Sequence, residues 1–240
     1  MAALEISVPS DGVLDVRIDR APDNLLTVEM CAELTRLLLN PPDGAHVLRL
    51  SAARQVFCLG RERAAGTPGE LRGETRVLVD LQRALRTTSL VTVAEVQGDA
   101  AGFGVGLFAA CDVAVADAKA RFWFPEVGIN LAPSLVLAWL PRVVGERQAF
   151  WLTATGERIT AARAVELGLL NAVAEGPQEL AEEVGERIAT LRTRDHRVHS
   201  EIRDMLHATR SLDEFQALEL SIDRLVVGSL RRTEEATRGK

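Results

Sequence analysis

The segment VQGDAAGFGVGLFAACDVAVAD, Val96 to Asp117, carries glycine at every second position across Gly102, Gly104 and Gly106. A nonpolar run follows, then Cys111-Asp112 and a β-branched stretch. LVTVAEVQG, just upstream, reads as a buried strand ending at Gly98. A strand, then small residues, then a helix opening at Gly104 makes a strand–turn–helix. Glycines in such a turn let the backbone take unusual dihedrals and let a ligand come close. The first amides of the helix lack an intrahelical partner, so the turn can hold a phosphate or an oxyanion. It lacks the lysine of a GxxxxGK[ST] phosphate loop. It also lies mid-chain and reads GxGxG, unlike a dinucleotide fingerprint. Tight helix–strand packing is the alternative reading of the same glycines.

Two further stretches bear on the choice. VFCLGRER, about forty residues upstream, is another strand ending in glycine, Gly60. Two loops that each offer a free N–H can converge on one oxygen, the geometry that stabilises charge on a thioester carbonyl. Downstream, FWFPEVGI places Glu126 after a proline at the end of an aromatic strand. A carboxylate in an apolar setting has a raised pKa and can shuttle protons. A capping or salt-bridged glutamate is the plainer reading of Glu126.

Around these stretches the chain alternates strands and helices. LEISVP and VLDVRID read as a hairpin about the Ser10-Asp11-Gly12 turn. Thr27 caps a helix that stops before Pro41-Pro42. AHVLRLSA is a strand, RERAAGTPGE an exposed loop, and a long amphipathic helix runs from about Glu70 to Thr88. DVAVAD and ARFWF are strands. Helices follow over 134–144 and 146–155, and Thr160 caps another that ends near Gly168. LLNAVAEG is a last strand. From Pro177 onward the sequence is Glu/Arg-rich with helical periodicity. The expected organisation is therefore an α/β core over residues 1–176 and a helical region over 177–240.

Composition excludes several classes. The 240 residues are 47% hydrophobic and 26% charged, which fits a soluble globular chain with one large domain, or one domain with a small appendage. A net charge of −6 without any basic block argues against nucleic acid. Lys119 and Lys240 are the only lysines, so phosphate contacts fall to Arg, Ser, Thr or backbone. Cys31, Cys58 and Cys111 show no CxxC spacing and read as buried reduced thiols of a cytoplasmic protein. His196, His199 and His207 have no nearby Cys and make a poor metal site, so no metal is expected. Neither a signal peptide nor a membrane-spanning run is visible.

The collinear series VFCLG, VQGDAAGFGVGLFAACDVAVAD, ARFWFPEVGINLAP, LPRVVG and ARAVELGLLNAV resembles the crotonase, or enoyl-CoA hydratase/isomerase, superfamily over roughly residues 12 to 175. The resemblance implies a spiral of ββα units with a C-terminal helical region used in trimerisation. It implies binding of acyl-CoA thioesters, with CoA part of the substrate and no separate cofactor. It also implies an oxyanion hole of two backbone N–H groups, which fall here on Arg61 and Phe103. Gly60, Gly102, Gly104, Gly106 and Asn130 are the expected substrate-binding positions, and Glu126 matches the later of the family's two catalytic glutamates.

The departures from the family pattern are chemical. The earlier glutamate is replaced by Gly106, and the middle glycine of GGG by Phe103. The usual GxDL reads Gly60-Arg61-Glu62-Arg63. Asn130 stands for a glycine, and Leu135-Val136-Leu137 for GGT. Arg61 and Arg63 either reach a CoA phosphate or a substrate carboxylate, or are solvated. Adding water across a double bond benefits from two acids, whereas moving the double bond can use one. The expected activity is thus a single-glutamate isomerisation favoured over hydration. The alternatives are a decarboxylase on a CoA or carrier-protein thioester, or a non-catalytic auxiliary homologue. Self-association as a trimer or hexamer is expected, with no nucleic-acid or membrane partner.

Overall fold

The computed structural model describes residues 3–7, 11–63 and 66–238. In chain order the elements are β1 (Leu4–Ser7), β2 (Val13–Ile18), α1 (Val28–Leu39), β3 (Val47–Ala52), β4 (Val56–Cys58), α2 (Pro68–Thr87), β5 (Val91–Val96), β6 (Asp99–Ala101), α3 (Phe103–Ala109), β7 (Val113–Asp117) and β8 (Arg121–Trp123). A 3-10 turn, Pro125–Ile129, comes next. Then follow α4 (Ser134–Leu137), α5 (Pro141–Val144), α6 (Glu146–Thr155), β9 (Ile159–Thr160), α7 (Ala161–Glu166), β10 (Ala172–Ala174), α8 (Pro177–Arg192), α9 (His196–Ala208) and α10 (Glu214–Arg238).

The strands form two sheets, ordered β1-β2-β3-β5-β7-β10 and β4-β6-β8-β9. The β1–β2 hairpin is antiparallel, with Leu4 opposite Ile18, and the rest of the larger sheet is parallel. Alternation along its strands sorts side chains between two layers. Leu14, Val16, Ile18, Leu48 and Leu50 join the main core, with Leu34, Leu38, Leu81 and Leu85 from α1 and α2. Val13, Val47, Val91, Val93 and Val115 face the other way and pack on Leu180, Val184 and Ile188 of α8. This is the α/β architecture of repeated strand–strand–helix units that the resemblance implies.

Local signals set the helix starts. Thr27 caps α1, its hydroxyl accepting from Met30 N at 3.2 Å. Thr67 and Glu70 form a capping box at α2, ahead of Pro68. Thr160 caps α7, and Gly168 follows it at φ +76.

Three features differ from the sequence reading. Residues 99–101 form a strand, β6, because the second sheet supplies partners on both sides that three residues cannot announce. The helix expected over 134–144 is two short helices, the second opening at Pro141, which lacks the N–H to continue the first. Composition changes at residue 176, whereas the chain divides into compact units Met1–His196 and Arg197–Lys240. Leu180, Val184 and Ile188 bury α8 against the larger sheet, which assigns it to the first unit. Ser10 of the hairpin turn and Ala64-Ala65 of the exposed loop lie outside the described residues.

In the second unit, α9 and α10 expose a series of apolar side chains that includes Ile202, Leu206, Phe215, Leu218, Leu225 and Leu230. Among the described residues no helix is long and apolar enough to cross a membrane.

Candidate active site

Three adjacent parallel strands of the smaller sheet each deliver one part of the site just beyond their C-terminal ends. The β4–β6 pairing sets Cys58 opposite Ala100, and the β6–β8 pairing sets Ala101 opposite Trp123. The ladder continues one step further, where Gly102 N–H donates to Trp123 O at 2.9 Å. Arg61 follows β4, Phe103 follows β6, and Glu126 follows β8. Ligands of parallel sheets characteristically bind beyond the carboxyl ends of the strands.

Gly102 is where two of these parts meet. It has φ +51 and ψ −116, a conformation open to glycine. An ideal Cβ there would lie 2.8 Å from Glu126 Oε1, so the carboxylate rests on the glycine Cα. Glu126 is held by the 3-10 turn that Pro125 opens. Asn130 closes that turn at φ +56, its N–H donating back to Val127 O at 3.0 Å. Asparagine is among the few residues that take this left-handed position readily, which explains how it can stand where a glycine was expected.

The two loop amides are set by pairing and by helix geometry. Leu26 bridges Arg61 in parallel fashion. Its N–H donates to Gly60 O at 3.0 Å, and its carbonyl accepts from Glu62 N at 2.8 Å. The Arg61 amide therefore lies on the edge facing away from Leu26. Phe103 is the first residue of α3, so its N–H has no intrahelical acceptor. Among the described residues neither amide has a hydrogen-bond partner.

A cavity of about 440 Å³ joins these groups. Its walls include Gly60, Arg61, Gly102, Phe103 and Glu126, together with Leu71 and Thr75 of α2 and the apolar segment Ile129, Leu131 to Val136. Among the described residues Glu126 is the only carboxylate on its walls. Its Oε2 is buried and accepts no hydrogen bond among the described residues. Burial pushes the Glu126 carboxyl above the ordinary range, opposed by its own turn's backbone and by the charges of Arg63 and Arg61. The plainer expectations for Glu126, a cap or a salt bridge, are not met: no side-chain cap and no ion pair involve it among the described residues.

The other expected site residues fall elsewhere. Gly104 and Gly106 do not line the cavity. A Cβ on Gly104 would lie 2.0 Å from Cys58 O, so glycine there lets α3 sit directly on β4. A Cβ on Gly106 would come within 3.0 Å of Gln82 Nε2 and 3.6 Å of the Trp139 ring. Gln82 donates to Gly106 O at 2.8 Å, so the space beside this glycine is filled. Asn130 lines a second cavity of about 430 Å³, and Leu131, Ala132 and Pro133 wall both. The Arg61 guanidinium is tied to Glu74 at 3.2 Å and Glu62 to Arg20 at 2.9 Å, whereas Arg63 faces the cavity. Sequence reasoning did not anticipate Leu71 and Thr75. The amphipathic pattern of α2 was visible, but nothing in it marks which residues at its N-terminal end meet a cavity.

Two sheets built from strand–strand–helix units, with, among the described residues, a single carboxylate and two amides without hydrogen-bond partners on one largely apolar cavity, define a protein of the crotonase class. The profile of the Enoyl-CoA hydratase/isomerase family matches residues 9–239, and the chain belongs to that family. It is 34% identical over 181 residues to a putative enoyl-CoA hydratase of Thermus thermophilus, covering 70% of this chain and 72% of that one. Its fold superposes on the crystal structure of an enoyl-CoA hydratase from Mycobacterium smegmatis with a TM-score of 0.89, at 24% identity over 95% of this chain and 91% of that one. A putative enoyl-CoA hydratase from Thermobifida fusca, solved in complex with CoA, gives a TM-score of 0.85 at 22% identity over 97% and 95% of the two chains.

Proposed function

We propose that this family member acts on acyl-CoA thioesters through an enolate and favours double-bond migration over hydration. In this reading the Arg61 and Phe103 amides hold the thioester oxygen as it gains negative charge. The Glu126 carboxylate removes a proton from the α-carbon, electrons move into the carbonyl and along the acyl chain, and the same carboxyl returns the proton at the γ-carbon. The double bond shifts from β,γ to α,β, and no atom is gained or lost. CoA enters as part of the substrate and needs no separate cofactor.

One observation carries the choice of isomerisation: among the described residues Glu126 is the only carboxylate on the cavity, and Gln82 and Trp139 fill the space beside Gly106. Hydration would have to activate water and protonate carbon with one group. Burial that raises the Glu126 carboxyl makes it a better proton acceptor than an ordinary glutamate, which suits a group that both takes and returns a proton.

The test is a panel of 3-enoyl-, 2-enoyl- and carboxylated acyl-CoA thioesters incubated in heavy water and read by mass spectrometry. Isomerisation gives 2-enoyl product of unchanged composition apart from exchanged hydrogen. Glu126→Gln keeps the shape and should lower turnover by about two to four orders of magnitude, while CoA-thioester binding survives. Products heavier by one water would favour hydration. Loss of carbon dioxide at the same rate in both proteins would favour the decarboxylase reading.

A further inference from the structure

The Arg61 amide is one end of a rigid unit whose other end, the Gly60 carbonyl, is held twice. A trans peptide is planar, so its C=O and N–H point in opposite directions and neither turns without the other. Leu26 N–H donates to Gly60 O at 3.0 Å, and the Cys58 thiol donates to the same oxygen at 3.2 Å. Gly60 sits at φ +121. With no Cβ it restrains the following peptide less than any other residue would, so these two donors set its direction.

Cys58 also supports the other amide. Its carbonyl oxygen and Cβ lie 2.0 and 3.0 Å from where a Gly104 side chain would stand, so the first turn of α3 rests on it. It is fully buried, beneath both loops rather than in the cavity wall.

We propose that Cys58 is a positioning residue for the reaction: its S–H, donated to Gly60 O, keeps the Arg61 N–H aimed at the thioester oxygen and strengthens it as a donor. The strengthening follows from hydrogen-bond cooperativity, since a carbonyl that accepts two bonds polarises the N–H of the same amide. The proposal rests on the oxyanion reading above. Burial pushes the Cys58 thiol up to about 12, so it keeps its proton through the physiological range and remains a donor. A thiolate there would be an acceptor facing an acceptor.

The experiment compares the parent with Cys58→Ser, which retains a donor, and with Cys58→Ala and Cys58→Val, which do not. Val keeps the bulk that Ala removes. The probe is a 2,4-dienoyl-CoA carrying ¹³C at the thioester carbonyl, and the readout is its carbonyl stretch by isotope-edited infrared difference spectroscopy. The parent should lower the frequency relative to water, Cys58→Ser should retain most of that shift, and Ala and Val should both lose part of it. On the best thioester of the panel, Ala and Val should lower kcat about two- to tenfold with KM nearly unchanged, the size of one neutral hydrogen bond. A shift in Ala and Val equal to the parent's overturns the proposal. A loss in Ala that Val restores overturns it too, since packing would then explain it. A parent that leaves the carbonyl band where it lies in water refutes the oxyanion reading itself, an outcome distinct from either.

Discussion

Replacing Gly102 with alanine tests the contact that joins two of the three parts of the site. The added Cβ would lie 2.8 Å from Glu126 Oε1, and an ordinary contact needs about 3.4 Å, so the carboxylate must withdraw by roughly 0.6 Å. It can do so, because it is the free end of a side chain. A misplacement of about 1 Å costs roughly a hundredfold in rate, so kcat should fall about ten- to a hundredfold, or roughly 1.4–2.7 kcal/mol of barrier. The backbone pays separately. With φ +51 and ψ −116, a residue with a Cβ is strained by about 1–3 kcal/mol, which lowers Tm by roughly 2–4 °C for each kcal/mol in a chain of this size. The methyl also removes water from around the carboxyl, so the Glu126 limb of the pH–rate profile should move to higher pH. Steady-state kinetics across pH and thermal denaturation read all three. A kcat within twofold of the parent, with Tm lowered as expected, would show that the carboxylate is not seated on Gly102 during turnover.

Glu126→Gln should be more stable than the parent as well as slower. Burial raises the folded carboxyl above its unfolded value, so the parent loses stability as pH rises through the interval between the two, and the amide does not. The Tm difference between variant and parent should therefore widen from below pH 4.5 to neutrality, and a constant difference would count against it. Phe103→Gly keeps the amide and removes a ring that borders the cavity and packs into the core. It should widen acyl tolerance on the thioester panel at some cost in Tm, and an unchanged preference would assign the ring to packing alone. The exposed Phe215, Leu225 and Leu230 of α10 lead us to expect a trimer or hexamer by light scattering, and a stable monomer at micromolar concentration would refute that.

Much of this arrangement was legible because it is local. Alternation in VLDVRID and VLRLSA, the threonine caps at 27 and 160, and the proline ahead of Glu126 act within a few residues. So does the glycine turn, read as strand–turn–helix, although that reading opened the helix at Gly104 rather than Phe103 and the Phe103 amide was singled out by the family resemblance alone. What stayed hidden depends on partners distant in sequence. β6 exists because β4 and β8 flank it; the break at Pro141 is the exception, a local signal that the helical pattern of 134–144 outweighed. Gly104 and Gly106 looked like ligand-facing glycines of one cluster. They differ from Gly102 only in what stands opposite them, Cys58 in one case and Gln82 with Trp139 in the other. Cys58 itself read as an inert buried thiol, because no sequence signal tells a thiol in a core from one bonded to a particular carbonyl.

Two of the three groups assigned to the chemistry are main-chain amides, and every amino acid except proline supplies the same N–H. An alanine scan of this chain would therefore see Glu126 and pass over the rest of the site. Arg61→Ala and Phe103→Ala would register, if at all, through Glu74 and the acyl cavity. Relatives can accordingly exchange the residues at both positions without losing the donors, leaving substrate choice free to drift while the charge-stabilising atoms stay in place. If the function proposed above holds, the identity at position 103 bears on which acyl group fits, and the identity at position 106 on how many acids handle it.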